Sequence, residues 1–364
     1  MTRPALTIGL VRRGYSATGG AERYLGRFAD ALVAAGHRVV LFGSPEWPRD
    51  RWPHAFHPVS GDGPRAFADA LEQFRPRDHC DFLFSLERIW RCDAYRAGDG
   101  VHRAWLARRA VHEPFWKTWA HRLRPLHREL LDLERAVYDP ERTGRIIANA
   151  RFVAEEITRL YGYPADRIAV VPNGLPPAQT SAPPPDRLAA RRSLGLPADP
   201  YLALFLGSGW ERKGLRFALR AAERLEGKVT VVVAGRSPTR GYRSARAHFA
   251  GPVADPAPWF AASDFLVLPT LYDPFSNACL EAAAAGLPVL TSAANGFSEV
   301  MTPGVHGEVV ADPSDLKALA RAMEGWCDRD RLTRARPLVR ALGATLDIGT
   351  NVRRTLEALG LGPG

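Results

Sequence analysis

The sequence has little of what staples, metallates or embeds a protein. Its 364 residues include four cysteines, Cys80, Cys92, Cys279 and Cys327. They are scattered and lack metal-ligand spacing, which argues for free thiols in a reducing compartment and against a disulfide framework. No apolar run approaches the roughly 20 residues that span a bilayer. Met1–Leu10 holds no long apolar stretch of the signal-peptide kind, so a cytoplasmic protein is expected. Acidic residues are outnumbered, 39 against 49 Lys and Arg, for a net charge of +10. Such a surplus suits phosphate, nucleic acid or an anionic membrane face, although a compositional preference for Arg would produce it too. The Gly-containing loop before the first helix does not match the G-x-G-x-x-G dinucleotide fingerprint, and the basic loop Gly207–Gly214 departs from P-loop spacing.

What remains is ordinary for a globular chain, with 46% hydrophobic and 24% charged residues and length enough for two domains. The chain is organised around Tyr272–Leu287, Tyr-Asp-Pro-Phe-Ser-Asn-Ala-Cys-Leu-Glu-Ala-Ala-Ala-Ala-Gly-Leu. It lies between two apolar runs with strand character, Phe265–Pro269 and Pro288–Thr291. Ser276 and Asn277, both good N-caps, mark the start of an alanine-rich helix. This is the strand–loop–helix–strand unit of a parallel α/β sheet. Asp273 and Glu281 lie eight positions apart with the helix N-terminus, a natural anion site, between them. Two acids around an anion site suit a ligand with hydroxyls at both ends and phosphate in the middle, such as a nucleotide sugar.

Earlier in the chain, strand Leu6–Val11 runs through Gly19 and Gly20 into an amphipathic helix closed by Gly36, and then strand Arg38–Phe42. Paired glycines let backbone N–H groups approach a phosphate, or make a plain tight turn. Asp81–Ser85 is a further strand. Beyond it, Asp99 and His102 stand among glycines as pocket candidates. Residues 102–135 mix Trp105, Phe115, Trp116, Trp119, Leu123, Leu126 and Leu130 with basic residues, Arg103, Arg108, Arg109, Lys117, Arg122, Arg124 and Arg128 among them. Their helical spacing matches an interfacial membrane segment or a helix face packed inward, and Pro125 breaks or kinks the pattern. The same patch could bind nucleic acid, but no nucleic-acid module accompanies it. Strands Arg145–Ala148 and Ile168–Val171 follow, then a proline-rich stretch from Leu175 that marks a domain boundary. In the second half, strand Leu202–Leu206 runs into Gly207-Ser-Gly209-Trp-Glu-Arg212-Lys213-Gly214, where the Arg-Lys pair is placed to hold a diphosphate. Strand Val229–Ala234 ends at Gly235, and His248–Pro252 leads to Val253, both at strand ends where open sheets place ligands. Asn351–Leu359 has a final helical pattern.

Gly19-Gly20, Gly207–Gly214 with Arg212-Lys213, Gly235 after a strand, and Asp273-x7-Glu281 ahead of Ala-Gly-Leu-Pro-Val occur in that order. On these residues the chain resembles GT-B glycosyltransferases of the family-four class of retaining enzymes, most nearly the lipopolysaccharide core glucosyltransferase I subfamily. The resemblance implies two Rossmann-like α/β domains facing each other across a cleft. Residues 1–175 would bind acceptor, 176–345 the nucleotide sugar, and 346–364 would return as a helix to the first domain. It implies transfer of a hexose, glucose in that subfamily, from a UDP-sugar to a lipid-linked saccharide such as the lipopolysaccharide inner core. Arg212 and Lys213 would neutralise the leaving diphosphate. Backbone at Gly19, Gly20, Gly209 and Gly235, with Val253, would line the donor. Glu281 would take the ribose hydroxyls, and Asp273 with Phe275, Ser276 and Asn277 the sugar and diphosphate. Asp99, with His102 as second candidate, would sit near the sugar and acceptor. The family usually carries Glu where Asp273 stands, and Asp is one methylene shorter, so the sugar contact is expected to be repositioned or relaxed. No cofactor or metal is implied, since no Asp-x-Asp stands in a strand-end loop. The expected partners are a nucleotide sugar, a lipid-linked acceptor and an anionic surface at the inner face of the plasma membrane, through residues 102–135, with no nucleic acid. A sugar-nucleotide epimerase of the same architecture, or a non-catalytic anionic-lipid-binding protein, are the competing readings.

Overall fold

A computed structural model describes residues 5–15, 20–113, 124–176, 186–239 and 241–362. They form two compact units. Unit one holds the described residues up to Pro172 together with those from Ile348 onward, and unit two is Asn173–Asp347.

Unit one is built on seven parallel strands: β1 (Thr7–Val11), β2 (Arg38–Gly43), β3 (Ala55–Pro58), β4 (Phe82–Ser85), β5 (Cys92–Ala97), β6 (Thr143–Ala148) and β7 (Ile168–Val170), in the order β3-β2-β1-β4-β5-β6-β7. Gly9 of β1 pairs with Val40 on one side and Leu83 on the other. The near-continuous apolar character of β1, β2 and β4 is what a strand buried on both faces requires. Ile8, Leu10, Leu41, Phe84 and Ile147 pack with Phe28 and Leu32 of helix Gly20–Ala34, and with Val352 and Leu356 of helix Ile348–Ala358, in one core. The returning C-terminal helix is therefore part of the first unit. It is fixed there by a hydrogen bond of 3.0 Å from the Tyr24 hydroxyl to Asn351 Oδ1.

Strand β5 was not legible as a strand, because Asp93 and Arg96 interrupt its apolar pattern. Both are satisfied by tertiary partners. Asp93 Oδ2 accepts from the Leu83 N–H at 2.7 Å, and the buried Arg96 guanidinium stacks 4.4 Å over the Tyr24 ring. The basic aromatic stretch is likewise divided. Helix His102–Val111 ends, and a separate helix, Pro125–Val137, begins with its proline in the first turn. That is where a missing N–H costs nothing, so Pro125 starts a helix and does not kink one. Phe115, Trp116, Trp119 and Leu123, which carried much of the membrane expectation, lie outside the described residues.

Unit two holds six parallel strands: β8 (Tyr201–Leu206), β9 (Val229–Ala234), β10 (Ala247–Gly251), β11 (Phe265–Leu268), β12 (Val289–Ser292) and β13 (Gly307–Val310), ordered β10-β9-β8-β11-β12-β13. Val231–Val233, Leu204, Leu266 and Leu290 fill its centre. Asp264, fully buried just before β11, ties the periphery together. It accepts from the Leu202 N–H at 2.7 Å and from Arg191 at 2.6 Å, and it also pairs with Arg187 and Arg329.

Candidate functional site

In unit two the strand order reverses between β8 and β11, and the loops leaving those two strands are bonded to each other. The Arg212 carbonyl accepts from the Leu271 N–H at 2.8 Å and from Thr270 Oγ1 at 3.0 Å. The Arg212 guanidinium donates to the Tyr272 carbonyl at 2.7 Å and lies 3.5 Å from Asp273 Oδ2. Lys213 Nζ is 3.4 Å from the same oxygen. Lys213 and Asp273 are both buried, so each offsets the cost of desolvating the other. Glycine makes this packing possible. Gly207, at φ +128°, leaves room for the Lys213 side chain, whose Cε would lie 2.9 Å from a Cβ there. Gly235, at φ +137°, puts its backbone against the Gly207 carbonyl, which an added Cβ would meet at 2.2 Å.

Beyond Asp273 the chain turns into helix Asn277–Ala284. Ser276 is its N-cap, accepting from the Cys279 N–H at 3.4 Å. Asn277 is the first helical residue and not a second cap, and its Oδ1 accepts from Asn173 Nδ2 at 2.8 Å. The loop is held by buried Asn295. Its Oδ1 accepts from the Ser276 and Phe297 N–H groups at 3.2 and 3.1 Å, and its Nδ2 donates to Thr291 Oγ1 at 2.9 Å and to Cys279 Sγ at 3.3 Å. Phe275 packs edge-on against Phe297, ring centres 5.6 Å apart. Glu281 is half-buried on the second turn of this helix, Gly209 lies in the β8 exit loop at φ +70°, and Val253 is half-buried in the loop after β10. Cys279, buried beneath the helix start, has its thiol pushed up to about 11 by burial, which makes it inert packing.

In unit one, Asp99 is exposed in the turn after β5, and His102 is the first residue of helix His102–Val111. Gly20 opens helix Gly20–Ala34, while Gly19 lies outside the described residues. His102 Nε2 and His127 Nδ1 are 3.0 Å apart. Burial, then the Arg88 charge and His127, lower the His102 pKa to about 4, so its ring is neutral near pH 7. The helix start beneath it is anchored by the fully buried Glu134, which accepts from the N–H groups of His102 and Arg103, pairs with Arg88 at 3.3 Å, and takes the Tyr161 hydroxyl.

Two family models match the chain: "Glycosyltransferase Family 4" over residues 18–179 and "Glycosyl transferases group 1" over residues 200–328. The chain belongs to the family-four glycosyltransferases of GT-B fold. The Escherichia coli K12 lipopolysaccharide glucosyltransferase WaaG is 25% identical over 84% of this chain and 85% of its own length. A crystal structure of WaaG has a TM-score of 0.80 at 22% identity, covering 98% of this chain and 100% of that one. Anabaena HepE with UDP and glucose reaches 0.74 at 16% identity, over 98% and 99%. D-inositol 3-phosphate glycosyltransferase 2 of Catenulispora acidiphila is 34% identical, over 50% of this chain and 48% of its own. The chain thus aligns with about half the length of such inositol-phosphate relatives.

Sequence reasoning named the charged and glycine residues of unit two but not the residues that hold them. Asn295 and Asn173 each sit in an Asn-Gly dipeptide. Such a dipeptide signals only a turn, and which loop each side chain would bridge depends on strand order. His127 and Glu134 face the Asp99 loop across 25 or more residues of sequence, with no local signal. No group of three or more His, Cys, Asp or Glu able to hold a metal is found among the described residues, and no helix among them is long and apolar enough to cross a membrane.

Proposed function

We propose that the protein transfers a hexose, with retention, from a UDP-sugar to a lipid-linked saccharide. The observation that carries this is the convergence of Arg212, Lys213 and Asp273 at the strand-order reversal of unit two, beside the capped start of helix Asn277–Ala284. Open parallel sheets bind ligands at that position, and two cations there favour a diphosphate. As the bond to the sugar breaks, negative charge grows on the leaving diphosphate. Arg212, Lys213 and the helix N–H groups are already oriented to receive it, which is where preorganised charge contributes most. In the free protein Asp273 serves as counter-ion to both cations. When the diphosphate arrives it takes over that role, and the Asp273 carboxylate is released toward the sugar hydroxyls. Glu281 receives the ribose hydroxyls, Phe275, Ser276 and Asn277 support the sugar and diphosphate, and Gly209, Gly235 and Val253 line the donor. Asp99 and His102 serve the acceptor side. The family resemblance supports retention by front-side attack, with the leaving phosphate taking the acceptor proton.

UDP release from a panel of UDP- and GDP-sugars tests the reading, with and without a membrane lipid extract and with inositol phosphate as a second acceptor. Lipid-dependent release, reduced about a hundredfold in Lys213→Ala as expected for loss of one charge-stabilising donor, would support it. Nucleotide binding without release from any donor would transfer the case to an epimerase, and no nucleotide binding would sink both. Peripheral attachment at the inner face of the plasma membrane, through residues 102–135, is part of the proposal. Among the described residues of that stretch, Val111 is 80% and Leu126 51% exposed, which supports an apolar contact outside the protein's own core.

A further inference from the structure

Both sheets reverse their strand order once. In unit two the reversal gathers cations from the β8 exit and an acid from the β11 exit. In unit one it lies between β1 and β4, and the same arrangement recurs there. Arg12, leaving β1, pairs with Glu87, leaving β4, at 3.0 Å. The Arg13 N–H donates to the same carboxylate oxygen at 3.3 Å. Both paired side chains are about four-fifths covered, Arg12 at 18% and Glu87 at 19% exposure. The Glu87 backbone is pinned, its N–H donating to Ser85 Oγ at 3.1 Å.

We propose that Glu87, with Arg12, Arg13 and Tyr15, binds a vicinal diol on the ring of the acceptor, a sugar or cyclitol. This rests on the transferase reading and adds a specificity-determining residue to it. A carboxylate has about four lone-pair directions, and the contacts to Arg12 and Arg13 use two. Two adjacent ring hydroxyls fit the others as donors. Arg13 Nε is buried without a hydrogen-bond partner among the described residues, a donor awaiting an oxygen. Tyr15, two residues beyond Arg13, is half-buried in a T-shaped contact with Trp47, ring centres 5.2 Å apart, and is the aromatic group of this loop for ring C–H groups to pack on. A bare phosphate fits poorly, because Glu87 and the nearby charge of Asp99 both oppose it. Burial first, and then Asp99, raise the Glu87 pKa against the pull of Arg12, so diol binding weakens as pH falls through a range above that of ordinary carboxylates.

The competing role is a structural ion pair that shapes the β1 exit loop. Glu87→Gln keeps the bond accepted from the Arg13 N–H but loses the charge pairing with Arg12, so a structural role would lower the melting temperature and a diol-binding role would not. Saturation-transfer NMR on the whole chain with UDP present would use methyl α-glucoside, methyl α-mannoside and myo-inositol as probes. At least one should bind, and Glu87→Gln should weaken it about tenfold with melting temperature and UDP affinity unchanged. Deoxy analogues lacking one of two adjacent hydroxyls should lose the same increment. Failure of every probe to bind the wild type, or equal binding by Glu87→Gln, would overturn the proposal. UDP binding is read in the same samples, so a failed donor site and a failed diol site are seen separately.

Discussion

Single residues here act in pairs, and the pairing decides their chemistry. His102 and His127 share a contact of 3.0 Å that requires at least one ring to present a lone pair, so both cannot be fully protonated while it stands. The folded-state pKa of His102, about 4, lies below its ordinary 6.5. The unfolded chain therefore takes up the proton first, and stability is lost as pH falls from about 6.5 toward 4. The loss at pH 5 should be about 1–2 kcal/mol after allowance for partial solvent screening. Urea midpoints at pH 7 and pH 5 measure it, and His102→Gln should flatten the difference. A slope unchanged in His102→Gln would assign the pH dependence elsewhere. The sequence placed His102 beside Asp99 because both lie in one Gly-rich loop. It could not show His127, because helix Pro125–Val137 reaches His102 only through the fold. The same holds in unit two. Lys213 and Asp273 were legible from residue type and their place in strand-end loops, whereas Asn295, which orients the Asp273 loop, declares itself only once β12 stands beside β11.

Elements are held by a few buried charges as much as by apolar packing. Asp264 joins the β8 start, the β11 start and helices Arg187–Ser193 and Arg329–Thr345 through one carboxylate. Its partner Arg191 is itself 1% exposed, with its pKa lowered by burial against the pull of Asp264. Removing one partner of a buried pair leaves an uncompensated charge, so Asp264→Ala should destabilise unit two by about 3–5 kcal/mol. Denaturant unfolding measures this, and a loss under about 1 kcal/mol would mean that the arginines find water instead. Strands with unbroken apolar runs, such as β8 and β9, were legible from sequence to within a residue or two. Strand β5 was not, since Arg96 is paid for by stacking on Tyr24, a contact no local pattern contains.

At the scale of the molecule, charge and exposed apolar groups set the partners. The net charge of +10, with Val111 and Leu126 exposed at the ends of two helices, should bring the chain to vesicles containing anionic lipid and not to neutral ones. Binding should weaken as salt rises. Co-sedimentation measures it, and Trp116→Ser with Trp119→Ser should reduce it without altering UDP affinity. Equal sedimentation by wild type and double variant would return the stretch to internal packing. The architecture itself was legible because the glycine loops and acids fall at successive strand ends. The return of helix Ile348–Ala358 to unit one was visible only as a helical pattern near the end of the sequence, its destination supplied by resemblance. That return has a consequence for synthesis. Unit one lacks Val352 and Leu356 from its core until the whole of Asn173–Asp347 has left the ribosome, a delay on the order of ten seconds or more at roughly 5–20 residues per second. Unit two is continuous and can fold while the first sheet still waits, so the later-made half is the first able to finish.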